Sequence, residues 1–178
     1  EWLVTATRDS TAHLWNIQNP ITDPIVLSGH DDNISSVAFS PDGKWLAIGS
    51  WGKTVRLWDM QNPAGEPLVL RGHDDWVRAL AFSPDGRWLA TGSEDGTARL
   101  WDMQNPAREA IVLRGHDDVI WTLGFSSDGK WLATGSQDGT ARLWNVQKTT
   151  AAPIVLHGHM WTIDTLAFSQ DGRWLATG

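Results

Sequence analysis

The sequence predicts an all-β protein made of four-stranded antiparallel sheets repeated about a common axis, and two observations predict it. Gly29-His30, Gly72-His73, Gly115-His116 and Gly158-His159 recur at a step of 43 residues in a chain of 178. A fixed period of this size marks an architecture in which one small unit buries its faces only by stacking on the next. Within each period, short apolar alternations are punctuated by turn residues, and no ten residues keep a helical spacing.

The unit from Asn33 to His73 gives the elements in order. Ile34, Val37 and Phe39 lie among smaller residues as an inner strand, and Ser40-Pro41-Asp42-Gly43 turns the chain. Trp45 to Gly49 is the second strand, Thr54 to Trp58 the third and Pro67 to Leu70 the fourth. The link Ser50-Trp51-Gly52-Lys53 is long enough for a hairpin and too short for a crossover helix. Asp59-Met60-Gln61-Asn62-Pro63 and its counterpart 102–106 are loops at one rim, because Pro fixes φ and has no N–H. Gly49, Gly92 and Gly135 stand at strand ends, where a missing side chain permits bending or close approach. Trp2, Trp45, Trp88, Trp131 and Trp174 share one phase, which fits a repeated contact between sheets better than a carbohydrate platform.

Gly72-His73, Phe82-Ser83-Pro84-Asp85-Gly86, Leu89-Ala90-Thr91-Gly92-Ser93, Asp95 and Leu100-Trp101-Asp102 together resemble the WD-type repeat of β-propellers. The resemblance covers the whole chain, and the uniformity of the copies is similar to that of highly repetitive WD-repeat proteins of bacteria and cyanobacteria. It implies a propeller of about four repeat equivalents: an incomplete first blade at 1–29, repeats at 30–72, 73–115 and 116–158, and an incomplete terminal repeat at 159–178. Segment 173–178 repeats the role of 1–6, so the expected ring is completed by missing sequence or by another chain. A homodimer closing an eight-bladed ring is one form of the latter.

Proteins of this family place a hydrogen-bonded cluster of four side chains in most blades, and the matching positions are His73, Thr91, Asp95 and Trp101. His116, Thr134, Asp138 and Trp144 make a second set. Thr5, Asp9 and Trp15 lack their His at the front, while His159 and Thr177 lack their Asp and Trp at the other end. The copy beginning at His30 has Ile48 at the hydroxyl position and Gly52 at the carboxylate position, leaving only His30 and Trp58. This blade is therefore expected to rely on apolar packing and to be locally less stable. His73, Asp95 and Ser93 or Thr91 also supply the residue types of a hydrolytic triad, but recurrence in several blades fits architecture better than a unique reactive centre. The histidines, one to a blade, imply no chelate, and neither a metal nor a cofactor is expected.

Positions that change between otherwise uniform copies are free to encode a partner. At the bend before the cluster carboxylate the series is Arg8, Trp51, Glu94 and Gln137. At the entrance of the inner strand it is Asn33, Trp76, Val119 and Thr162, followed two residues later by Ser35, Arg78, Trp121 and Asp164. The resemblance places these near one axial face. Arg8, Trp51, Trp76, Arg78, Glu94, Trp121 and Gln137 are thus the candidate partner-binding residues, since aromatic and Arg side chains dominate protein interfaces. The competing reading of Trp76 and Trp121 is packing at the inner ends of the blades.

A net charge of −7 without acidic blocks argues against nonspecific binding to phosphate backbones and leaves room for a basic partner. No apolar run is long enough to span a bilayer, and the absence of Cys excludes disulfide and thiol chemistry. The expected function is a noncatalytic scaffold for a protein or peptide, cytoplasmic, as the sensor or interaction module of a larger signalling protein. A self-assembling propeller segment is the alternative, with a carbohydrate-binding module or hydrolase behind it.

Overall fold

The computed structural model describes residues 2–7, 10–19 and 21–178. Strands β1 (Trp2–Ala6), β2 (Ala12–Asn16) and β3 (Ile25–Leu27) form a three-stranded sheet. Three four-stranded sheets follow. The first holds β4 (Ile34–Phe39), β5 (Trp45–Ser50), β6 (Val55–Asp59) and β7 (Leu68–Leu70), and the second β8 (Val77–Phe82), β9 (Trp88–Ser93), β10 (Ala98–Asp102) and β11 (Ile111–Leu113). The third holds β12 (Ile120–Phe125), β13 (Trp131–Ser136), β14 (Ala141–Asn145) and β15 (Ile154–Leu156), and β16 (Leu166–Phe168) pairs with β17 (Leu175–Thr177) in a final two-stranded sheet. Every neighbouring pair is antiparallel, as links of four to eight residues require. The innermost strands β4, β8, β12 and β16 touch in succession, which arranges the sheets as blades about one axis, and the described strands leave the ring open.

The turn chemistry is local. Ser40 Oγ donates to Asp42 (2.6 Å) and accepts from the Trp45 N–H (2.9 Å), while Gly43 takes φ 69°. The same turn recurs at Ser83, Ser126 and Ser169. Strand limits differ slightly from those the sequence suggests. Thr54 lies outside β6 because its carbonyl closes the preceding turn onto the Ser50 N–H (3.2 Å), and Pro67 lies outside β7 because it has no N–H for the ladder.

The core is a set of layers between blades. In β5, Leu46 and Ile48 face the first blade and pack with Ala12, Leu14 and Leu27, whereas Ala47 faces the next blade with Val77, Leu80 and Leu89. Leu89 and Ala90 repeat this division one blade later. The second strand is therefore buried on both faces, and each fully buried Leu or Ile contributes about 2 kcal/mol. Trp45 and Trp88 pack against these layers, a contact between blades.

Close approach explains the small residue in that strand. A Cβ on Gly92 would lie 2.7 Å from Ile120 Cγ2, and one on Gly135 2.6 Å from Ile163 Cγ2. Gly92→Ala is expected to lower the unfolding free energy by about 1–2 kcal/mol through overpacking. Urea titration at neutral pH checks it, and an unchanged midpoint would show that the neighbouring blade yields freely.

Candidate functional site

In the blade of β8–β11 the polar cluster forms a continuous chain of donors. Trp101 Nε1–H donates to Thr91 Oγ1 (3.1 Å), the Thr91 hydroxyl donates to His73 Nε2 (2.8 Å), and His73 Nδ1–H donates to Asp95 (2.8 Å), so one tautomer serves all three bonds. Asp95 also accepts from the Asp74 N–H (2.9 Å), the Thr97 N–H (2.9 Å) and the Thr97 hydroxyl (2.6 Å). Burial alone would raise the Asp95 carboxyl, but the bonds from His73 and Thr97 outweigh it and hold the group well below the usual carboxylate range. His116, Thr134, Asp138 and Trp144 reproduce the arrangement, with Thr140 in the place of Thr97. There burial opposes, and Thr140 and His116 together bring Asp138 down to about 2, while burial also lowers His116.

Thr91 and Ser93 are both fully buried, and the Ser93 hydroxyl donates to the Asp75 carbonyl (3.0 Å), so both hydroxyls are engaged inside the blade. Thr97 and Thr140 complete the clusters as members that the sequence reading omits, although their constant phase with Asp95 and Asp138 signals them. At the ends, Trp15 Nε1–H donates to Thr5 (2.9 Å) and His159 Nε2 lies 2.8 Å from the Thr177 hydroxyl. Asp9 lies outside the described residues. Among the described residues, no group of three His, Asp or Glu is placed to hold a metal.

The copy at His30 keeps its histidine inside without partners. His30 is 8% exposed, both ring nitrogens and Thr54 Oγ1 lack a hydrogen bond among the described residues, and the Trp58 ring lies 5.4 Å away. Burial, reinforced by the Arg56 charge, lowers His30 from 6.5 to about 4. Ile48 instead joins the apolar layer against Leu14. The following link differs as a unit: Gly52 carries no carboxylate, and Lys53 takes φ 64° where Gly96 takes 74°.

That altered link belongs to the axial face. In the three complete blades, the register of the inner strand shifts between Ile34 and Ser36, Val77 and Ala79, and Ile120 and Thr122. The bulged residues are Ser35, Arg78 and Trp121, and a bulge redirects a side chain away from the ladder. The bend residue of each blade is tied to the strand entrance, with the N–H of Trp51, Glu94 and Gln137 donating to the carbonyl of Asn33, Trp76 and Val119 at 2.9 Å. Both variable series thus meet at one end of each of these three blades.

The side chains then connect across blades. Trp51 stacks on Trp76 with ring centres 4.4 Å apart and planes 3° from parallel. The Arg78 guanidinium lies 5.2, 5.0 and 4.6 Å from the ring centres of Trp51, Trp76 and Trp121, and it pairs with Glu94. Trp121 Nε1–H donates to Gln137 Oε1 (3.2 Å), and Lys53 reaches the Asp74 carbonyl (2.7 Å). Six of the seven candidate residues, Trp51, Trp76, Arg78, Glu94, Trp121 and Gln137, therefore form one contiguous cluster, while Arg8 lies outside the described residues. The three indoles remain half-buried, leaving part of the ladder open.

Among the described residues, no helix is long and apolar enough to cross a membrane. No curated protein matches the sequence. The family described as WD domain, G-beta repeat matches residues 22–59, 66–102, 108–145 and 152–178. Each match begins before an outer strand and runs into the next blade, so the repeat of the sequence straddles two sheets. With four matches spread over most of its length and a blade geometry to accompany them, the chain belongs to the WD40 repeat family.

Proposed function

We propose that the chain is a noncatalytic scaffold that binds a protein or peptide through the axial face bearing Trp51, Trp76, Arg78, Glu94, Trp121 and Gln137, as the interaction module of a larger signalling protein. WD40 domains are generally protein-interaction scaffolds of this kind and typically noncatalytic. The observation that carries the proposal is the ladder itself. It joins residues from three blades at the positions where the copies differ, and it offers aromatic surface with an Arg held in place, the composition of an interface centre. Random peptides displayed on phage and selected on the chain test it. Trp51→Ala is expected to weaken the selected peptides about tenfold while leaving the thermal midpoint within a few degrees. Equal loss of stability with unchanged affinity assigns the ladder to packing.

A further inference from the structure

We propose that a groove between the sheet of β8–β11 and that of β12–β15 takes a methionine side chain from a partner segment, at a place separate from the axial face. The cavity there is about 610 Å³, with Trp88, Leu100 and Ile111 as its apolar floor and Asp102, Arg108 and Glu109 around them. That volume lies within the roughly 300–1,000 Å³ of ligand pockets, enough for a side chain and the backbone on either side of it. The Arg87 guanidinium lies 5.2 Å from the Trp88 ring centre and 3.8 Å from Asp102, so indole and carboxylate are held together as one wall.

The neighbouring blades identify what covers such a floor. The repeat aligns Met60, Met103 and Val146, whose N–H groups donate to the carbonyls of Lys44, Arg87 and Lys130 at 2.8, 2.8 and 2.9 Å, so all three side chains start from the same point. Met103 packs against the layer between the sheets of β4–β7 and β8–β11, alongside Trp45 and Leu68, and Met60 packs against the layer before it. Val146 belongs to the next layer, alongside Trp88 and Ile111, the counterparts of Trp45 and Leu68. Valine ends at Cγ, whereas methionine runs on through Sδ to Cε. Val146 is buried in its layer yet does not line the cavity, so it stops short of the space. The complement is an unbranched, polarizable side chain that follows the groove and sets its sulfur against the Trp88 ring. The rim is also particular to this blade, because Arg108 stands where the adjacent copies have Gly65 and Ala151. Arg108 and Glu109 are exposed, and among the described residues neither takes part in an ion pair. A segment with an acidic and a basic residue beside its methionine matches both.

Random peptides displayed on phage, selected on the full chain and counter-selected on Val146→Met, test this. The variant fills the groove from within, so it should raise the thermal midpoint and weaken by about tenfold a class of peptides with methionine at one fixed position. In calorimetric titration, norleucine at that position should keep the affinity within about threefold, and alanine should cost about tenfold. The same peptides should bind Trp51→Ala as they bind the parent. Arg108→Glu, at an exposed position, should turn the preferred acidic residue beside the methionine into a basic one, and this arm decides the matter if Val146→Met does not fold. Selection that yields no methionine-bearing class, or a class that binds Val146→Met and Arg108→Glu as tightly as the parent, overturns the inference. Loss of affinity in Trp51→Ala bears on the axial face alone, so failure of either reading leaves the other standing.

Discussion

Asp95→Ala is expected to remove about 3–5 kcal/mol of unfolding free energy, a large share of the total for a domain of this size. The carboxylate side chain is 8% exposed and accepts from His73, the Asp74 N–H, the Thr97 N–H and the Thr97 hydroxyl. Alanine leaves all four donors facing a void too enclosed for easy rehydration, and the cost of such orphaned groups exceeds the value of the bonds themselves. The sign of the pH dependence follows from the lowered carboxyls of Asp95 and Asp138. Their stabilisation is fully present above the ordinary carboxylate range, and it is lost as pH falls toward the folded values. Urea unfolding at pH 7 and pH 3 should therefore show the variant weaker at pH 7 and less sensitive to acid than the parent. A loss below about 1 kcal/mol at pH 7 would mean that the cluster is not a coupled network.

The fold was legible because the repeat isolates what every blade must have. Strand order and the inner, second and third strands come directly from Gly-His, Ser-x-Asp-Gly and Trp-Leu-Ala in phase, since each motif encodes a turn or a two-faced buried strand. Variation against that background located the axial cluster, because Trp51, Arg78 and Trp121 differ where neighbouring residues do not. The contacts themselves were not legible. Ile34, Val37 and Phe39 pass as a slightly imperfect alternation, yet the extra residue between Ile34 and Val37 is the bulge that turns Ser35, Arg78 and Trp121 out of the ladder. Nor does sequence separation reveal that Trp51 meets Trp76 of the next blade, because that distance depends on how two sheets pack. The His30 ring was equally open: the sequence allows it to turn outward, and the structure keeps it buried and unpartnered.

Repairing that blade should be the largest stabilising change available within it. The triple variant Ile48→Thr, Gly52→Asp and Lys53→Gly restores the residues of the intact copies and is expected to gain about 2–4 kcal/mol. Three buried atoms, His30 Nδ1, His30 Nε2 and Thr54 Oγ1, would acquire partners, and the residue at φ 64° would become glycine. Two costs oppose the gain. Ile48 gives up apolar contact with Leu14, at about 1–2 kcal/mol, and a Cβ on residue 52 would lie 2.9 Å from Asp31 Cβ. Asp31 must shift toward the backbone geometry of Asp74, whose N–H donates to Asp95 in the intact blade. Ile48→Thr alone satisfies only one ring nitrogen, so the three changes should gain more together than the sum of the single variants. The acid response separates this mechanism from a general improvement in packing. His30 is lowered from 6.5 to about 4, so the unfolded chain binds its proton first as pH falls. Stability is full above 6.5, declines by about 3 kcal/mol as pH falls to about 4, and is level below that for this group. The triple variant should flatten this window toward the response of the intact blades, and amides of β5 and β6 should exchange more slowly. A gain in stability with the parent's full decline between pH 6.5 and 4 would show that His30 had found no partner, and would assign the gain to the Lys53 backbone alone.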